Sequence, residues 1–140
     1  MVARMPPARA AFCLLVVLAL TASGGCGSGD EAVRDRDNTL HLRLDEYRIT
    51  PRDIRVREGR VHLVARNTGK LTHNVAIESF SDTPETDDEV QLGRTDTAHA
   101  GETVSEEAPI RLKPGRYRLV CTIANHDNLG QYGTLFVSGR

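Results

Sequence analysis

The chain has 140 residues, 26% of them charged, with 18 basic and 19 acidic side chains and a formal charge of −1. That length suits one domain of ordinary size. A balance so near neutrality lacks the basic face that binding to nucleic acid requires.

The chain opens like an export signal. Arg4 and Arg9 give a positive start, residues 10–22 form a predominantly apolar run of thirteen, and Ser23-Gly24-Gly25 are small residues before Cys26. A bilayer span needs about 20 apolar residues, so residues 1–25 are expected to be a removable signal peptide. Gly25-Cys26 resembles the end of a bacterial lipobox, although Ser23 stands where that pattern usually has Leu. The resemblance implies lipidation of Cys26 and a membrane anchor at the outer face of the cytoplasmic membrane. Cleavage by an ordinary signal peptidase would instead leave a soluble periplasmic or secreted protein. Cutting before Cys26 removes two Arg and no acid, so the mature charge is 16 − 19 = −3.

Residues 26–38 are Gly/Ser-rich, then charged, and nearly free of apolar side chains. They read as a flexible tether with a root-mean-square reach of roughly 20 Å, followed by one domain over residues 39–140. From Leu40 the pattern alternates, with Leu40, Leu42 and Leu44 set against His41, Arg43 and Asp45, the period of a half-buried strand. Pro51 interrupts, after which Ile54 and Val56 alternate with Arg55 and Arg57. The run Val61-His62-Leu63-Val64-Ala65 stops at Asn67-Thr68-Gly69, where Asn and Gly tolerate positive φ and predict a turn. His73, Val75 and Ile77 are expected to share the next inward face. Seven Arg between Arg43 and Arg66 alternate with apolar residues and read as the solvent side of strands.

Residues 79–96 break the rhythm with Pro84 and the acids Asp82, Glu85, Asp87, Asp88 and Glu89. They predict a solvated excursion with one helical turn over residues 87–92, and the acids offer a docking face for a basic partner. Strand pattern resumes over residues 102–105 and at Ile110-Arg111-Leu112. Lys113-Pro114-Gly115 then turns the chain tightly, and Tyr117, Leu119 and Cys121 face inward against Arg116 and Arg118. About seven or eight short strands, with turns about every 8–12 residues and no long helical pattern, predict an all-β antiparallel Greek-key sandwich.

The chemistry concentrates in one loop. Cys121, His126 and Gln131 place a thiol, an imidazole and an amide oxygen at five-residue steps between two predicted strands, and a second imidazole, His73, stands at another strand end. Two His nitrogens and one Cys sulfur are the trigonal donor set of a blue-copper site, whose weak axial donor can be Met, Gln or a backbone oxygen. Structural zinc wants four thiolate or imidazole ligands, and a Cys-His nucleophile would need a third residue to orient its base. A buried Cys acting as a small hydrophobe is the bland alternative. His41 and His62 alternate with apolar neighbours and His99 lies in a turn region, so all three are expected on the surface.

This arrangement resembles the cupredoxin family of plastocyanin-like and azurin-like electron carriers, whose C-terminal signature is Cys, then His, then Met, followed by Gly and an apolar strand. The resemblance covers roughly residues 40–140. Pro51, Ile54, Val56, Gly59, Asn67, Gly69, His73 and Asn74 stand where bacterial members have similar residues. Gln131 departs from the usual Met and is similar to the stellacyanin-like variant. The resemblance implies one type 1 copper ion held by His73, Cys121, His126 and Gln131, with Asn74 tying the His73 strand to the Cys121 loop. It also implies a monomer that moves single electrons, with redox protein partners docking briefly near His126 among Leu71, Ile123 and Leu129. A copper-holding or copper-delivery lipoprotein would use the same ligands, and a metal-free interaction module is the structural alternative. An enzyme is the least supported class, since the chain offers one metal site and no pair of acids or further His cluster.

Overall fold

The computed structural model describes residues 37–79 and 90–139. The signal peptide, Cys26 with most of the tether, and the acids of residues 82–89 lie outside the described residues. Among those described there are ten strands: β1 (Thr39–Asp45), β2 (Arg48–Thr50), β3 (Asp53–Arg57), β4 (Gly59–Asn67), β5 (Ala76–Ser79), β6 (Gln91–Arg94), β7 (Thr103–Ser105), β8 (Ile110–Leu112), β9 (Gly115–Val120) and β10 (Tyr132–Ser138). No helix among these residues is long and apolar enough to cross a membrane.

β1 shows how the pattern becomes structure. Leu40, Leu42 and Leu44 are at most 3% exposed, while His41 and Arg43 are exposed. Burying each leucine contributes about 1.5–3 kcal/mol. Ile54 and Val56 of β3, Val61, Leu63 and Ala65 of β4, and Leu119, Leu135 and Val137 do the same from their strands and close one core between two sheets. Around β5 the expected alternation gives way to burial throughout, since Asn74 and Ala76 are buried along with His73, Val75 and Ile77.

One sheet runs β2-β1-β4-β7, with β8 also on β4, and the other runs β3-β10-β9-β5-β6. This is the expected all-β sandwich, with ten strands among the described residues where about seven or eight were expected and with two parallel pairings among its mostly antiparallel ones. β1 pairs parallel with β4, and β3 pairs parallel with β10. Register then decides where the loops meet. Leu44 lies beside Asn67, so β1 and β4 end at the same rim. Ala76 at the start of β5 lies beside Val120 at the end of β9. The turn after β1, the loop after β4 and the loop after β9 consequently share one end of the sandwich.

Three local expectations change. The turn at Asn67-Thr68-Gly69 uses no left-handed residue; the Asn67 carboxamide accepts the Gly69 N–H instead, at 2.9 Å. No helical turn forms in the described part of residues 87–92, because Gln91 and Leu92 belong to β6 on the edge of the second sheet. Asn38, read as tether, is bonded into the domain through the Arg57 backbone and the His62 N–H. Gly133 marks the closest approach of β10 to the β3 end of the chain, since a Cβ there would collide with the Arg52 carbonyl that the Thr134 N–H reaches at 2.8 Å.

Candidate metal centre

His73 sits between β4 and β5 on a pinned loop. It exchanges backbone hydrogen bonds with Ala98, at 3.0 and 2.8 Å. The Asn67 carboxamide donates to the carbonyls of Leu71 and Ala98, at 2.7 and 3.0 Å, and so fixes the approach. Cys121 follows β9 directly, and its N–H donates to the Gln131 carbonyl at 3.1 Å, closing the base of the loop. Inside, His126 N–H donates to Ile123 and Gln131 N–H donates to His126. Ala124 and Asn125 take left-handed φ of 46° and 58° to make this tight return, a conformation Asn tolerates better than most residues. The loop thus folds His126 inward over Cys121.

The result is a donor triangle. Cys121 Sγ lies 3.7 Å from His126 Nδ1 and 4.0 Å from His73 Nδ1, and the two Nδ1 atoms are 3.3 Å apart. His73 and Cys121 are fully buried and His126 is 7% exposed. Among the described residues this is the one group of three or more His, Cys, Asp or Glu with the spacing to hold a metal ion. A single first-row ion with bonds of about 2.0–2.3 Å bridges such a span.

Gln131 is fully buried beside them. Its Nε2 donates to the Asp45 carbonyl at 3.0 Å, while its Oε1 has no hydrogen-bond partner among the described residues. A buried acceptor left unpaired is costly, and an amide oxygen is a hard donor. Asn74, 2% exposed, spans the two loops as the resemblance implied. Its Nδ2 donates to Thr122 Oγ1 and its Oδ1 accepts the Thr122 N–H, both at 2.9 Å.

Burial lowers the His73 pKa below 6.5, the charge of nearby His126 lowers it further, and a polar contact from Gln131 opposes both. A neutral imidazole with a free lone pair is the form that ligates metal. The turn after β1 supplies residues that the sequence did not single out. Tyr47 sets its ring edge-on to His126, centroids 5.3 Å apart. The Glu46 carboxylate accepts the N–H groups of Leu71 and Lys70, which hold it ionised below its usual range, and lies 3.9 Å from His73 Nε2. Neither carries a local sequence signal, because each acts across more than 20 residues of chain.

The remaining histidines stay apart from the centre. His41 and His99 are exposed, and half-buried His62 is bonded to Glu106 at 2.9 Å. Leu71, in the loop before His73, and Leu129, in the loop of His126, are 43% and 58% exposed, and Tyr47 beside His126 is exposed as well. Ile123 is half-buried in the same loop.

No protein-family model and no curated sequence matches the chain. The fold, however, has clear relatives among solved structures, and it is a cupredoxin fold. The chain is similar to the dithionite-reduced auracyanin of the photosynthetic bacterium Roseiflexus castenholzii, at 17% identity over 72% of this chain and 97% of that one, with a TM-score of 0.61. It is likewise similar to auracyanin B, at 21% identity over 76% and 90% of the two chains with a TM-score of 0.60. Auracyanin A of the green thermophilic bacterium Chloroflexus aurantiacus, described as a "blue" copper protein, matches at 16% identity over 76% and 100%, with a TM-score of 0.59.

Proposed function

We propose that this protein binds one type 1 copper ion and carries single electrons at the outer face of the cytoplasmic membrane. The observation that carries the reading is the convergence of His73 Nδ1, Cys121 Sγ and His126 Nδ1 in a buried triangle, and the buried, unpaired Oε1 of Gln131 from the same loop supports it. The donor set fits the group: thiolate suits Cu(I), imidazole suits both oxidation states, and an amide oxygen is an accepted axial donor. Bound copper supplies a Cu(I)/Cu(II) couple. The likeness to auracyanins, one of them described as a blue copper protein, supports the same reading.

The chain's own part is to hold the donors still. The Asn67, Ala98 and Asn74 hydrogen bonds fix the two loops from which all three ligands come, and outer bonds of this kind orient metal ligands. Fixed donors need little rearrangement when the charge changes. Burial of Cys121 and His73 keeps water out, and His126 is the one ligand that reaches the surface. The apolar rim of Leu71, Leu129 and Tyr47 supports brief docking of a redox protein over His126, since weak redox encounters use small interfaces. The leader, Cys26 and the short tether support an anchored monomer within reach of membrane redox partners.

The test is repeated redox cycling of the copper-loaded protein. One equivalent of ascorbate should bleach the visible colour and ferricyanide should restore it over many cycles with copper retained. Colour that ascorbate cannot bleach, or copper lost to a chelator after one reduction, would remove the carrier role.

A further inference from the structure

The turn between β1 and β2 meets Gln131, His126 and His73. Gln131 Nε2 donates to the Asp45 carbonyl, Tyr47 packs edge-on against His126, and Glu46 faces His73. Asp45 and Glu46 both bring a negative charge near His73, and Glu46 is the one whose carboxylate also holds the loop that carries it. Its Oε1 accepts both the Lys70 N–H at 2.5 Å and the Leu71 N–H at 2.8 Å, which are the two residues leading toward His73. The same oxygen lies 3.9 Å from His73 Nε2, a ring nitrogen that is fully buried and has no hydrogen-bond partner among the described residues. At 3.9 Å this is a charge contact and not a hydrogen bond. Gly69 completes the arrangement, because a Cβ there would fall 2.6 Å from Glu46 Oε1 and push the carboxylate out of its place.

We propose that Glu46 is a positioning residue of the metal centre, which clamps the loop carrying His73 and lowers the reduction potential of the bound ion. The inference rests on the copper reading above. His73 turns Nδ1 to the donor triangle, so in the copper reading its Nε2 carries the ring proton, 3.9 Å from the carboxylate. A negative charge on that side strengthens the imidazole as a donor and stabilises the doubly charged over the singly charged ion by direct Coulomb attraction. The clamp and the charge belong to one side chain but separate by substitution. Glu46→Gln keeps an oxygen for both amides and removes the charge; Glu46→Ala removes both.

The experiment uses the full-length protein and reads two quantities. Hydrogen exchange at the Lys70 and Leu71 amides, with and without copper, reports the clamp. The midpoint potential at pH 7, with the ratio of Cu(II) to Cu(I) affinity, reports the charge. In Glu46→Gln the amides should keep their protection while the potential rises and the affinity ratio falls roughly fivefold. In Glu46→Ala the potential should rise likewise and both amides should exchange on the order of tenfold faster. An unchanged or lower potential in Glu46→Gln overturns the charge role, and unchanged exchange in Glu46→Ala overturns the clamp. A wild-type protein that stays colourless with copper defeats the proposed function itself; coloured wild type with an unmoved potential in Glu46→Gln defeats only this inference.

Discussion

The Nδ1 atoms of His73 and His126 stand 3.3 Å apart although 53 residues separate them in sequence. Both rings are buried, so a second proton on His73 would face the other ring at short range in a place poor in water. A cation shared between two neutral imidazoles relieves this arrangement. A proton on each aggravates it.

A pH dependence of the metal-free protein follows. The folded-state pKa of His73 lies below its ordinary 6.5, chiefly through burial and then through the charge of His126. The unfolded chain therefore binds a proton that the folded chain refuses. Stability is fully present above pH 6.5 and falls as the pH drops from 6.5 through the lower folded value, by up to about 1.4 kcal/mol per pH unit for one such group. Thermal unfolding between pH 7.5 and 5.5 should show a falling Tm, and His73→Gln should flatten the slope. This window lies above the range of Glu46, which titrates below 4.5. A Tm that is level over the window in the wild-type protein would contradict the account.

Asn74 bridges the two ligand loops through the hydroxyl and N–H of Thr122. Asn74→Ala removes both bonds and leaves the part-buried Thr122 N–H without its acceptor. A loss of about 1–3 kcal/mol is expected, measured as a shift in the denaturation midpoint, together with faster copper loss to a chelator. A shift under about 0.5 kcal/mol, the size of an ordinary surface substitution, would mean the bridge is not holding the loops.

That His73, Cys121 and His126 would come together was legible because chemistry and spacing are local. Cys121, His126 and Gln131 lie in one loop, and His73 stands just before the apolar run that enters β5. Leu40, Leu42 and Leu44 announced β1 for the same reason. The parallel partners of β1 and β3 were not legible, since alternation shows that a strand is half-buried and says nothing of which distant strand lies beside it. β6 escaped because it is an edge strand: Leu92 is 41% exposed, and Gly93 lies against the Ile110 side chain. Glu46 read as an ordinary charged turn residue. Its role exists only once β1 and β4 lie side by side and bring residues 46 and 69–71 together.

Gln131 stands where the cupredoxin resemblance leads one to expect Met. Its Oε1 is buried and unpaired while its Nε2 is anchored on Asp45, so the side chain is held with its oxygen free. An amide oxygen is harder than a thioether sulfur and favours Cu(II). Gln131→Met should raise the midpoint potential in a voltammetric titration, with some loss of stability from the abandoned Asp45 carbonyl. An unchanged or lower potential would show that Gln131 does not reach the ion.

The central claim is that the Cys121 thiolate and two imidazoles hold one copper ion, and the visible spectrum tests it most directly. Copper(II) added to the purified protein should give an intense sulfur-to-copper charge-transfer band near roughly 600 nm that saturates at one equivalent. Cys121→Ser should abolish the band, and His99→Ala, a change at an exposed histidine, should leave it intact. A copper-loaded protein without colour, or colour that survives the loss of Cys121, would contradict the account.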